Sequence, residues 1–176
     1  MNSSRRQFGS GLLATGLIGL LAGCDTLFPG PQGPCPTVSI VSDAARLTQY
    51  REGAGRDLTD VRYRAEISNV QFNCRYQRDG RLMAALAIDI VATRGPAAEG
   101  GSGNFPFFVA IADSRQNILA KEVFDSVIEF ERRQRRVGVR EEIDQELSLA
   151  GDDSGANYEV LVGFQLTAEQ LEQNRR

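Results

Sequence analysis

From Asp60 to Ile67 the chain alternates without a fault. Val61, Tyr63, Ala65 and Ile67 fall on one side; Asp60, Arg62, Arg64 and Glu66 fall on the other. A period of two is the signature of a strand with one face buried. After Ser68-Asn69 the apolar positions change parity to Val70, Phe72 and Cys74, which predicts a bulge or a change of sheet at that point. Leu82 to Ala92 and Phe105 to Ala112 are apolar on both parities, the pattern of central strands covered on both faces. Asp113-Ser114-Arg115-Gln116-Asn117 is a turn-forming link to another strand reaching about Phe130, so this pair reads as a hairpin.

Further on, Val137, Val139, Ile143, Leu147 and Leu149 share one parity, with Glu141 and Gln145 as polar interruptions on the same side. A strand fits, and so does a helix from Glu141 to Leu149. Tyr158, Val160, Val162 and Phe164 form a last inward-facing row after the turn Gly151 to Gly155. Thr167-Ala168-Glu169-Gln170 matches a capping box, which predicts a short C-terminal helix to Asn174. With Thr37 to Ser42 added, about seven short strands separated by turns predict a mainly β domain. The expected architecture is an antiparallel immunoglobulin-like or fibronectin-like β-sandwich with a short C-terminal helix, covering residues 37–176 as one domain.

The first 36 residues read as an address and a tether. Arg5 and Arg6 supply positive charge, and Gly11 to Leu21 is an apolar run shorter than the roughly 20 residues that span a bilayer. That run leads directly into Leu21-Ala22-Gly23-Cys24, which resembles the bacterial lipobox. The resemblance implies that residues 1–23 are a lipoprotein signal peptide, that cleavage follows Gly23, and that Cys24 becomes the acylated N-terminus. Two or more acyl chains, at about 0.8 kcal/mol per buried methylene, would make a lasting anchor. Ser4-Arg5-Arg6-Gln7-Phe8 is similar to the twin-arginine export motif, with Arg5, Arg6 and Phe8 as its key residues. The same arginines would equally serve the general secretory route. Asp25 resembles an inner-membrane retention signal of enteric bacteria, which leaves inner and outer membrane undecided. Residues 24–36 then hold Pro29, Gly30, Pro31, Gly33 and Pro34, a composition that breaks helices and strands and suits a tether.

Charge and composition narrow the chemistry. The net charge is −3, and Arg5 and Arg6 are the only charges before Cys24, so the remainder is more acidic still. Nucleic acid is therefore not an expected partner. The chain contains no histidine, which excludes histidine-based catalysis, and its sole lysine, Lys121, lacks a nearby serine signature for a serine-lysine pair. Cys35 and Cys74 remain after lipidation. In an oxidising periplasm they would form a disulfide, the alternative being two buried thiols.

Several clusters could bind or react. Glu141, Glu142, Asp144 and Glu146 could supply a catalytic carboxylate pair, yet strand geometry sends neighbours to opposite faces. Glu141 would share the inward face and need a partner such as an arginine. Asp152, Asp153, Ser154 and Asn157 offer calcium-type oxygen ligands without the spacing of the twelve-residue calcium loop, and read first as a turn. Gly53-Ala54-Gly55-Arg56-Asp57 lacks the lysine and helix of a phosphate cradle. Phe105, Phe107 and Phe108 read as core, with a binding surface as the alternative. Arg132, Arg133, Arg135 and Arg136 form the densest basic cluster, suited to charge-assisted contact with an anion. No catalytic residue, metal site or cofactor is predicted.

Cys35-Pro36-Thr37-Val38, Asp43-Ala44-Ala45-Arg46-Leu47 and the run Tyr158 to Leu166 resemble a group of small, functionally uncharacterised envelope lipoproteins of alphaproteobacteria. That resemblance implies an envelope location facing the periplasm and brings no activity. The expected role is that of a non-enzymatic adaptor or structural lipoprotein, held to a membrane by lipid on Cys24 and meeting an envelope protein partner. The alternative is a module binding an anionic glycan, a lipid headgroup or calcium. An envelope hydrolase comes third.

Overall fold

A computed structural model describes residues 33–53, 55–149 and 153–176. Eight strands form two four-stranded sheets. In chain order they are β1 (Thr37–Ile40), β2 (Arg46–Tyr50), β3 (Val61–Tyr76), β4 (Arg81–Arg94), β5 (Ser102–Asp113), β6 (Ile118–Glu129), β7 (Arg136–Ser148) and β8 (Tyr158–Phe164), followed by helix α1 (Ala168–Asn174). The first sheet runs β1-β8-β5-β6 and the second β2-β3-β4-β7. All pairs are antiparallel except β1 with β8.

This is the β-sandwich with a short C-terminal helix that the patterning predicts. The strand missing from the sequence reading is β2, because Arg46–Tyr50 buries a single apolar side chain, Leu47, and otherwise carries polar residues. The region 136–148 is a strand and not a helix. Its apolar parity meets Leu82, Leu86, Ile90 and Ala92 of β4 across the ladder, and sheet pairing over the whole length overrides local helix preference.

The core lies between the sheets. Tyr63, Leu82, Ile88, Ile90, Phe105, Phe107, Val160, Val162 and Phe164 are all fully buried. Tyr63 packs edge-on to Phe105 at 5.9 Å and stacks on Phe130 at 5.5 Å, and its hydroxyl donates to the Ser102 carbonyl (2.8 Å). The parity change is where the pattern puts it. The β3–β4 register shifts between Ile67 and Asn69, after which Val70, Phe72 and Cys74 oppose Ile88, Leu86 and Ala84.

The expectation that β4 is covered on both faces is corrected. Leu82, Ala84, Leu86, Ile88, Ile90 and Ala92 are buried, while Ala85 is exposed and Met83, Ala87 and Val91 are half-buried on the outer side. A two-layer sandwich offers each sheet only one covered face. In β5 the outer Ala110 and Ala112 are buried nonetheless.

The hairpin between β5 and β6 turns on Asp113. Its carboxylate accepts the backbone N–H of Arg115 (2.9 Å) and Asn117 (2.8 Å) and the Asn117 side-chain amide (2.9 Å), and Gln116 takes the left-handed conformation at φ 65°. These donors hold the Asp113 carboxyl below its ordinary pKa, the Asn117 side chain foremost. The capping box forms as predicted: Thr167 Oγ1 accepts the Gln170 N–H, and the Gln170 side chain accepts the Thr167 N–H. The Gln170 side-chain amide then donates to the Thr48 carbonyl (3.3 Å), fastening α1 to β2.

Candidate anion-binding face

The outer face of the second sheet is sorted by charge. Period two turns Arg62, Arg64 and Glu66 of β3 outward, away from the buried Tyr63 and Ala65. In register across the sheet, Thr48 of β2 lies opposite Arg64, Arg64 opposite Thr93 of β4, and Thr93 opposite Arg136 of β7. The next row is Arg46, Glu66, Val91 and Gly138. All of these but Gly138 border a depression of about 190 Å³.

One acid, Glu66 opposite Arg46, lines this depression, and it stands among three arginines, Arg46, Arg64 and Arg136. None of the three forms an ion pair with another described residue, whereas Arg51, Arg56, Arg81, Arg140 and Arg175 do. Arg132, Arg133 and Arg135 are likewise unpaired among the described residues and exposed in the turn from β6 to β7. Arg133 is left-handed at φ 77°. The Arg135 carbonyl accepts the Arg94 N–H (2.8 Å), which latches the turn to the end of β4. Three guanidiniums flanked by the hydroxyls of Thr48 and Thr93 supply directed donors suited to an oxyanion such as phosphate, sulfate or carboxylate.

At the other end of the same face the charges are matched. Arg140 donates twice to Asp89 (2.7 and 3.0 Å), and Asn69 adds a third bond (3.1 Å). The Asp89 carboxyl is thereby pulled down to about 2, first by Arg140 and then by Asn69. Arg81 bridges Asp79 (2.7 Å) and Glu146 (2.8 Å), and the same hydrogen bond holds Asp79 below its usual range.

The structure thus divides the basic cluster of the sequence. Arg136 joins the sheet face, while Arg132, Arg133 and Arg135 stand at its rim. Arg46, Arg64, Thr48 and Thr93 were not singled out from the sequence. Parity alone puts Arg64 outward, but its neighbours depend on register between strands far apart in the chain.

The other candidates fall elsewhere. Leu21, Ala22, Gly23, Cys24, Arg5, Arg6 and Phe8 lie outside the described residues. Cys35 and Cys74 are placed as a disulfide, with Cα atoms 5.8 Å apart. Glu141 faces inward as its parity requires, but its partner is a serine and not an arginine: Ser126 Oγ donates to it at 2.6 Å. Glu142, Asp144 and Glu146 do not converge with it, being exposed or turned to the opposite face. Asp153 spends its oxygens on its own loop, accepting from Asn157 Nδ2 (2.5 Å), the Tyr158 hydroxyl (2.8 Å) and the Ser154 N–H (2.8 Å). The Asn157 and Tyr158 bonds lower its pKa. Asp152 lies outside the described residues. Of the phenylalanines, Phe105 and Phe107 are core, whereas Phe108 faces outward with Lys121 Nζ 4.4 Å above its ring.

A larger concavity, about 800 Å³, opens between the end of β2, the start of β5 and α1. Two of its arginines are neutralised, Arg51 by Asp60 (2.9 Å) and Arg56 by Glu169 (2.7 Å). Its third arginine, Arg62, makes no ion pair with a described residue and lies over the Tyr63 ring at 5.9 Å. No protein-family model matches this chain, and no curated protein is significantly similar to it.

Proposed function

We propose that this chain is a lipid-anchored protein of the bacterial envelope, exported by its N-terminal signal, acylated on Cys24 and facing the periplasm. Its role is non-enzymatic: a β-sandwich adaptor that receives an acidic partner on the arginine face. The observation carrying this reading is the row Arg64, Thr93, Arg136 with Arg46 beside it. These guanidiniums stand on regular strands, three of them around the single carboxylate of Glu66 and none ion-paired to a described residue, in a chain that is acidic overall. Unmatched charge held on regular strands needs little reordering to bind, which favours recognition.

The test is photocrosslinking in living cells from a reactive residue at Gln134, beside the face, in the parent chain and in Arg64→Glu with Arg136→Glu. An envelope protein captured by the parent and lost in the double variant supports the adaptor. Capture unchanged by charge reversal sinks the arginine face. A second reading, a module for an anionic glycan or lipid headgroup, draws on the same guanidinium and hydroxyl donors. Capture of lipid or glycan alone would put it in first place. The anchor is tested separately: Cys24→Ala should move the protein from the membrane fraction to the soluble fraction.

A further inference from the structure

The two sheets expose four edge strands, and three of them are guarded. β1 is four residues long. β2 is five residues long and is fastened to α1 through Gln170. β7 presents Arg136, Arg140, Glu142, Asp144 and Glu146 on its outer side, with no large apolar side chain among them. Short length, cover and charge are the usual ways of keeping an edge from pairing. β6 is different. It runs for twelve residues, Ile118 to Glu129, and no other strand among the described residues pairs with its free side. Ile118, Leu119, Val123 and Val127 are each at least half exposed, and Leu58 is the only other large hydrophobic so exposed among the described residues.

We propose that two copies of this chain pair through β6, antiparallel, about a two-fold axis at Val123, so that their first sheets become one continuous sheet. The pattern on the outer face of β6 is Leu119, Lys121, Val123, Asp125, Val127, which is complementary to itself when reversed. With the axis at Val123, Lys121 of each copy faces Asp125 of the other. Val123 meets its own counterpart, and Leu119 lies beside Val127 at both ends. A two-fold pairing requires such self-complementarity, and opposite charges directly across a ladder stabilise it while like charges oppose it. Neighbouring registers lose this match. An axis at Glu122 or Phe124 sets Lys121 and Asp125 against apolar residues; an axis at Lys121 brings two lysines together, and one at Asp125 brings two aspartates together although it sets Lys121 beside Glu129.

The local geometry leaves these groups available. Asp125 uses one carboxylate oxygen to accept from Asn104 Nδ2 (2.8 Å), leaving the other free. Lys121 rests over Phe108 and makes no ion pair with a described residue. Glu122, on the inner parity, is turned aside to accept from Gln145 Nε2 of β7 (3.1 Å), so it does not stand on the shared face. The register shift next to Leu119 ends the regular ladder there.

Native mass spectrometry of the full chain in mild detergent tests the pairing. The parent should be a dimer. Lys121→Asp and Asp125→Lys should each raise the dissociation constant at least about tenfold, by setting like charges face to face. The chain carrying both changes should dimerise again, and the two single variants mixed should form a heterodimer. Both side chains are exposed, so circular dichroism should show folding unaltered. Should a variant misfold, Val123→Cys provides an independent reading: its thiols face across the axis and should crosslink on mild oxidation, whereas those of Glu129→Cys should not. A monomeric parent, or a dimer indifferent to both single charge changes and to the position of the cysteine, would overturn the proposal.

Discussion

The hydroxyl of Ser126 on β6 donates a 2.6 Å hydrogen bond to the carboxylate of Glu141 on β7, a side-chain tie between the edge strands of the two sheets. Ser126 is buried, and Glu141 lies opposite the fully buried Ile88. A charged group in such a place depends on the donors it keeps. Ser126→Ala should therefore cost about 1 to 3 kcal/mol in urea unfolding. Changing both residues, Ser126→Ala with Glu141→Val, should recover most of that loss, because no polar group is then left unsatisfied. Two losses that simply add would mean the residues do not interact.

Tyr76 clamps the entrance to the domain. Its hydroxyl donates to the Pro34 carbonyl (2.7 Å) and accepts the Gly155 N–H (2.9 Å), joining the first described residues to the loop before β8. Gly155 has no room for a side chain, since a Cβ would come within 2.5 Å of the Pro34 carbonyl oxygen. Tyr76→Phe should lower stability by about 1 kcal/mol and speed amide exchange at Gly155, leaving Val160 and Val162 protected. Unchanged exchange at Gly155 would show that the loop is held by other contacts.

Cys35 and Cys74 fasten the same entrance covalently, 39 residues apart in the chain. On the chain-entropy account a loop of that size is worth about 4 kcal/mol. Cys35→Ala with Cys74→Ala should lower stability by up to that amount while leaving the sandwich folded. Protein taken from an oxidising compartment should present no alkylatable thiol at these two positions; finding two would remove the bridge.

How far the sequence revealed this arrangement follows from which interactions are local. The faultless alternation of Asp60 to Ile67, the parity change after Ser68, the Asp113 turn and the Thr167 capping box are written in neighbouring residues, and each is found where the pattern puts it. β2 was missed because Leu47 is its single buried apolar side chain, so it lacks a pattern of its own and owes its strand to pairing with β3. The arginine face was half visible. Arg136 stood out within a run of arginines, but Arg46 and Arg64 reach it only through register across four strands. Glu141 was rightly placed inward, yet Ser126 could not be named from sequence, because β6 and β7 belong to different sheets.

Acid should loosen the charged end of the second sheet through Asp89. Its folded pKa is about 2, depressed by Arg140 and Asn69, against an unfolded value of about 3.9. A carboxyl whose pKa is lowered by folding stabilises the protein wherever it is ionised in both states. The contribution is therefore complete above about pH 4 and is lost as the pH falls through about 2. Carbon NMR titration of the Asp89 carboxyl should give a midpoint well below that of an ordinary aspartate, and Arg140→Gln should move it back towards the usual value. The stability difference between the parent and Asp89→Asn should be present near neutral pH and shrink towards pH 2. A midpoint near 3.9 in the parent would show that the Arg140 fork is not maintained in solution.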